Sequence, residues 1–202
     1  MPALWPTFIP AVGSYLDSPT EGKTFEETGE KIASEYYNAV VTANTILHAN
    51  LPLALPSYAP MKDAIAKTLQ DITDSEGKPK IGHFTNWATE VSNFWLATTM
   101  SPLPFHPANM AASTGTAGIP VPITHIINVG GVIAALKADL LTAFTHKPSP
   151  IPFGVPMATK LATAFTNHLL TVGGLQTEFV TSGSPATPIP LGPIPAPWVG
   201  MV

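Results

Sequence analysis

Neither cysteine nor arginine occurs in this chain of 202 residues. Without cysteine, no disulfide and no thiolate metal site can hold the fold. Without arginine, all nine basic residues are lysine, and the planar fork that grips phosphate or a guanine edge in two places is missing. With a net charge of -4, the chain is not expected to bind nucleic acid.

Charge is scarce in one half. Residues 1–80 carry ten acidic and six basic side chains, whereas residues 81–202 carry three of each. Soluble domains average about 25% charged residues. A surface as poor in charge as 81–202 would show contiguous apolar patches, and such patches mark interfaces. The expectation is that this portion is shielded by companion subunits. Contact with lipid is the competing reading.

Targeting and catalytic signatures are missing as well. The opening MPALWPTFIPAVG has prolines at 2, 6 and 10 and no basic n-region, so it does not read as a secretory signal. The uncharged run GIPVPITHIINVGGVIAAL, residues 118–136, is long enough to span a bilayer. Pro120, Pro122, His125, Asn128, Gly130 and Gly131 interrupt it, and a span is not expected. No G-x-S-x-G, HExxH, Walker A or G-x-G-x-x-G motif occurs. The histidines at 48, 83, 106, 125, 146 and 168 never stand at the i,i+3 or i,i+4 spacing of paired metal ligands on a helix. Asp139 and Glu178 are lone charges in apolar surroundings. No catalytic, cofactor-binding or metal-binding residue is assigned, and no enzymatic activity is expected.

What the chain has in abundance is proline, 23 in all, set between segments of helical periodicity. Thr24–Ala49 carries Ile32, Tyr36, Ala39, Val40, Ala43, Ile46 and Leu47 along one stripe, opened by Thr24-x-x-Glu27, a capping box. Met61–Ile72 follows, with Ile65, Leu69 and Ile72 on one side. The polar run DSEGKPK, 74–80, marks the clearest boundary. Beyond it Phe84, Trp87, Val91, Phe94 and Trp95 recur at helical spacing, and are read as core or subunit interface. Further helices are expected over 130–146 and 157–172. GLQTEFV, 174–180, reads as one more turn or a short strand.

The fold expected is mainly α, with several amphipathic helices joined by extended, proline-rich apolar segments and with extended arms at both ends. The divisions are an N-terminal arm 1–23, a charged helical region 24–80, a charge-poor helical region 81–180 and a C-terminal proline-rich arm 181–202. Proline breaks helices and is barred from central strands, so the C-terminal stretch is neither.

The phrase SPLPF at 101–105 returns as SPIPF at 149–153. FTN occurs at 84–86 and 165–167, FTH at 144–146, and VGG at 129–131 and 172–174. These echoes suggest a duplicated helix-plus-arm unit. Proline-rich segments start stiff, so docking them sacrifices little entropy, and here the residues between the prolines are apolar. The candidate subunit-interface residues are Pro102, Leu103, Pro104 and Phe105; Pro150, Ile151, Pro152 and Phe153; and Pro188, Ile189, Pro190, Leu191, Pro193, Ile194, Pro195 and Trp198.

The segment NVGGVIAALKADLLTAFTHKPSPIPFGVPMATKLATAFTNHLLTVGG, within a likeness that covers roughly residues 84–180, resembles virion structural proteins of contractile-tailed, myovirus-type bacteriophages. The resemblance lies in texture: alanine-rich helices alternating with extended apolar prolines. It implies a component of a tail, baseplate, neck or capsid surface in the virion, with further copies of itself and other structural proteins of the same particle as partners. The alternative is a membrane-active or lipid-contacting protein using residues 118–145.

Overall fold

In the computed structural model the chain is mainly α-helical with small antiparallel sheets. The structure describes residues 3–19, 23–43, 53–100, 103–105, 121–123, 125–145, 153–184 and 187–201. Among these, the helices are α1 (Trp5–Asp17), α2 (Phe25–Val40), α3 (Ala59–Asp74), α4 (Thr85–Ala97), α5 (Ile133–Thr145) and α6 (Gly154–Leu169), with a 3-10 turn at Ile81–Phe84. The strands are β1 (Leu53–Ala54), β2 (Thr99–Met100), β3 (Leu103–Phe105), β4 (Val121–Ile123), β5 (His125–Gly130), β6 (Val172–Ser184) and β7 (Thr187–Val199). β1 pairs with β2, β3 with β4, and β5-β6-β7 form a three-stranded sheet, all antiparallel.

The N-terminal segment corrects an expectation. Residues 5–17 are not an extended arm but helix α1. Pro6 sits in the first turn, where its missing N–H has no helical partner to lose. Pro10 removes the hydrogen bond to the Pro6 carbonyl, at about 3 kcal/mol in a helix interior. Against that, Phe8 and Val12, one turn apart, are fully buried, each contributing roughly 1.5–3 kcal/mol. Trp5 stacks on Phe165 with ring centroids 6.1 Å apart. Tertiary burial outweighs the proline.

At α2 the capping box is present in both directions: the Glu27 amide donates to Thr24 Oγ1 at 3.1 Å and the Thr24 amide to Glu27 Oε2 at 2.9 Å. Ile32, Tyr36, Ala39, Val40 and Ala43 are buried as the stripe requires. The helix ends at Val40, and Ile46 and Leu47 lie outside the described residues. After α3 the chain turns at Glu76 and Gly77, both at positive φ (58° and 69°). That turn is not a seam between two bodies. One hydrophobic cluster runs from Ala3 to Met201 and draws on both sides of it.

The charge-poor half supplies much of this cluster. Trp87, Val91, Phe94 and Trp95 of α4, Leu136 and Leu140 of α5, and Leu161, Phe165 and Leu169 of α6 are all buried. They pack with α1–α3, so the chain's own helices do part of the shielding expected of companion subunits. The α1–α6 crossing is close. A Cβ on Gly13 would stand 2.8 Å from Val155 Cγ2, and one on Gly154 would meet the Gly13 carbonyl. Asp17 Oδ1 accepts the Gly154 amide at 2.6 Å, so a carboxylate at the end of α1 caps the start of α6.

The echoes do not mark equivalent positions. The first VGG leads into α5, the second leaves α6, and the two pair with each other across β5 and β6, Val129 with Gly173 and Gly130 with Val172. SPLPF contains strand β3, whereas Phe153 of SPIPF stands at the cap of α6.

Because Phe8 is core and not arm, Phe8→Ala should destabilise the chain by about 3–5 kcal/mol, read from the urea midpoint by circular dichroism. A change below about 0.5 kcal/mol, as at exposed sites, would place residues 5–17 off the body.

Candidate assembly surface

The sheet has one face in the core and one outside. Alternation along the strands puts Ile127, Gly174 and Trp198 opposite one another on the inner face. Ile127 and Trp198 are buried, and a Cβ on Gly174 would lie 2.7 Å from Trp198 Cζ2. Side chains of the outer face come from the neighbouring positions: Ile126 beside Leu175, and Val129 and Val199 flanking Gly173. Ile126 is 57% exposed, Val129 48% and Val199 66%. Asn128 is the extra residue of a bulge between Ile127 and Val129, and it brings Val129 to the outer face. An apolar, charge-free patch therefore stands open on the outer side of the sheet.

The sheet narrows into a ribbon. β5 pairs with β6 only as far as Gln176, whereas β6 and β7 stay paired to Ser184 and Thr187. Gly200 N donates to Val172 O at 2.8 Å, which sets the phase of the β6–β7 ladder. Counting in twos, 174/198, 176/196 and 178/194 are hydrogen-bonded pairs, and 175/197, 177/195 and 179/193 are not. Pro193, Pro195 and Pro197 all fall on the non-bonded pairs. Between Phe179 and Thr181 the register shifts, with Leu191 and Gly192 together facing Val180. That bulge moves Pro190 and Pro188 into the same phase, opposite Thr181 and Gly183. The change in proline spacing from two to three thus coincides with the extra residue. In β3–β4, Pro104 lies opposite Pro122, a pair that has no N–H to exchange.

The predicted interface residues divide. Pro102, Pro150, Ile151 and Pro152 lie outside the described residues. Leu103, Pro104 and Phe105 form β3, and Pro188, Ile189, Pro190, Leu191, Pro193, Ile194 and Pro195 lie in β7. Phe153 is half-buried against the core. Trp198 is a correction. It is 4% exposed because its place in β7 turns it to the inner face, so it belongs to the body and not to a surface. Ile126, Val129 and Val199 were not among the expected residues. ITHIIN lacks clean alternation because the bulge at Asn128 breaks it.

Two shallow grooves lie elsewhere. One, about 140 Å3, runs between α5 and α6 past Asp139, Lys160 and Asn167, where Asn167 Nδ2 donates to Asp139 Oδ2 at 2.9 Å. The other, about 450 Å3, is lined by Tyr15, Glu26, Glu27, Glu30, Lys31 and Lys62. Among the described residues no three His, Asp or Glu side chains gather as a metal site, and no helix is long and apolar enough to cross a membrane. The run 118–136 contributes instead to β4, β5 and α5, with Ile127 and Leu136 in the core.

His168 is buried, 1% exposed beneath Gly131, whose φ of 95° brings its backbone onto the imidazole. Neither ring nitrogen has a partner among the described residues. The backbone around it is tied instead: Thr171 Oγ1 accepts from Val132 N at 2.8 Å and donates to the His168 carbonyl at 2.7 Å. Burial pushes the imidazole down to about 4.

No protein-family model, curated protein or solved structure matches this chain.

The depressed histidine has a defined consequence. Between pH 6.5 and about 4 the unfolded chain takes up a proton that folded His168 refuses, so its contribution is full above pH 6.5 and falls as pH drops through that window. The loss is about 3 kcal/mol in total. Urea midpoints from pH 7.5 to 4 should decline less steeply in His168→Leu than in the parent. Equal slopes would show that the ring is solvated.

Proposed function

We propose that this chain is a non-enzymatic structural subunit of a large assembly, in the virion of a contractile-tailed phage type (tail, baseplate, neck or capsid surface). It packs against further copies of itself and against other structural proteins of the same particle. The observation that carries this reading is the outer sheet face: Ile126, Val129 and Val199 stand exposed together, whereas Trp87, Val91, Trp95, Leu136, Leu140, Leu161, Phe165 and Leu169 of the same charge-poor half are buried in the core. Covering that face with a neighbour's apolar surface contributes at roughly 25 cal/mol per Å2, before the entropy of association is met. The ribbon beyond Gln176 extends the same sheet and gives a neighbour a second place to hold. The texture of the sequence and the low charge of residues 81–202 support the same reading.

The test must spare the body. Cutting the chain at residue 181 would remove Trp198 and Met201 from the core, so it cannot separate assembly from folding. Val129→Lys with Val199→Lys should leave the melting transition close to the parent's, since both side chains are exposed, and should abolish co-sedimentation with the particle. Excising residues 179–193 and closing the ribbon with Asn-Gly across the bonded pair Glu178/Ile194 should weaken incorporation with the helical spectrum intact. Unchanged incorporation of both variants sinks the proposal. If the parent chain floats with phosphatidylcholine vesicles and the double-lysine variant does not, the same face serves lipid instead.

A further inference from the structure

The sheet ends at β7, and an end strand ordinarily offers its unpaired N–H and C=O groups to any strand that comes alongside. In an antiparallel pair, a residue at a non-bonded position points both groups away from its partner. On β7 those positions, counted from the Gly200–Val172 hydrogen bond and carried across the bulge, are 188, 190, 193, 195 and 197. All five are proline. Their carbonyls point outward and there is no N–H beside them. From Thr187 to Ala196 the outer edge of β7 therefore accepts hydrogen bonds but donates none.

We infer that this proline phase closes the β7 edge to strand addition by a second copy of the chain. An incoming strand needs donors and acceptors in alternation. Here every carbonyl it offers would face a site with no donor, and each such buried acceptor would lose its water without a replacement. The bulge at Leu191–Gly192 has a clear place in this arrangement. Without it, Pro188 and Pro190 would fall on bonded positions and break the ladder to β6. With it, all five prolines face outward and the inner ladder keeps its donors. The same logic holds at Pro104 and Pro122, whose opposition leaves the β3–β4 ladder intact. The inference stands on register alone, so it survives or fails independently of the proposed place in a virion.

The test restores donors. In the full chain, Pro190→Thr, Pro193→Thr and Pro195→Thr together put three N–H groups on the outer edge and leave the inner ladder untouched. Sedimentation equilibrium of parent and variant, with amide hydrogen exchange at 190, 193 and 195, reads the outcome. The expected result is a variant of twice the parent's mass at high concentration, with the three new amides protected there and unprotected on dilution. Two results overturn the inference. One is a variant with the parent's mass and unprotected new amides at every concentration. The other is an increase in mass with those amides still unprotected, which places the contact elsewhere. Should the triple variant lose its circular dichroism, the single change Pro193→Thr, at the middle of the edge, is read by the same two measurements and decides in the same way.

Discussion

The helices of this chain depend on one phenyl ring. Phe165 of α6 has Trp5, Phe8, Tyr36 and Trp87 around it, with ring centroids 6.1, 5.9, 4.6 and 6.4 Å away. Those partners come from α1, α2 and α4, so four helices meet at a single side chain. Edge-on and tilted contacts of this kind add to what burial alone contributes. Tyr36 shows how dry the centre is. Its hydroxyl accepts from Trp95 Nε1 at 2.8 Å, and burial raises the phenol well above its ordinary value. At the other end of the described chain, Met201 N donates to the Leu169 carbonyl at 2.9 Å, one turn past Phe165. Residues near each end of the chain are fastened to the same helix.

This arrangement explains the lopsided charge. The charge-poor half is interior material: α4, α5 and α6 present apolar stripes on which α1 and the more charged α2 and α3 lie. Few charges are needed on surfaces that are covered. Among the described residues, the uncovered apolar side chains include Ile126, Val129 and Val199 on the outer face of β5-β6-β7. Apolar sequence and apolar surface are different quantities, and only packing converts one into the other.

How much of this could be read in the sequence depended on the range of the forces involved. Helical periodicity announced α2 to α6, and the reciprocal cap at Thr24 and Glu27 was legible to the atom, because both are local. The prolines at 6 and 10 misled, since the forces that override them come from Phe165, more than 150 residues away. Trp198 misled for the same reason. Its inward direction is set by pairing with Gly174, and nothing beside it in the chain states that pairing. The outer-face residues Ile126, Val129 and Val199 were hidden because a bulge breaks the alternation that would have revealed them. The proline spacing of β7 was visible as a pattern, but its meaning required a partner strand against which to count.

That count makes the C-terminal stretch unusually sensitive to length. Insertion or loss of one residue between Pro190 and Pro193 would exchange the inward and outward roles of every proline on one side of the change. Insertion or loss of two would return them to their places. Single-residue gaps in this region should therefore be far less tolerated than paired ones. For this strand, the spacing between residues carries information that is usually assigned to their identity.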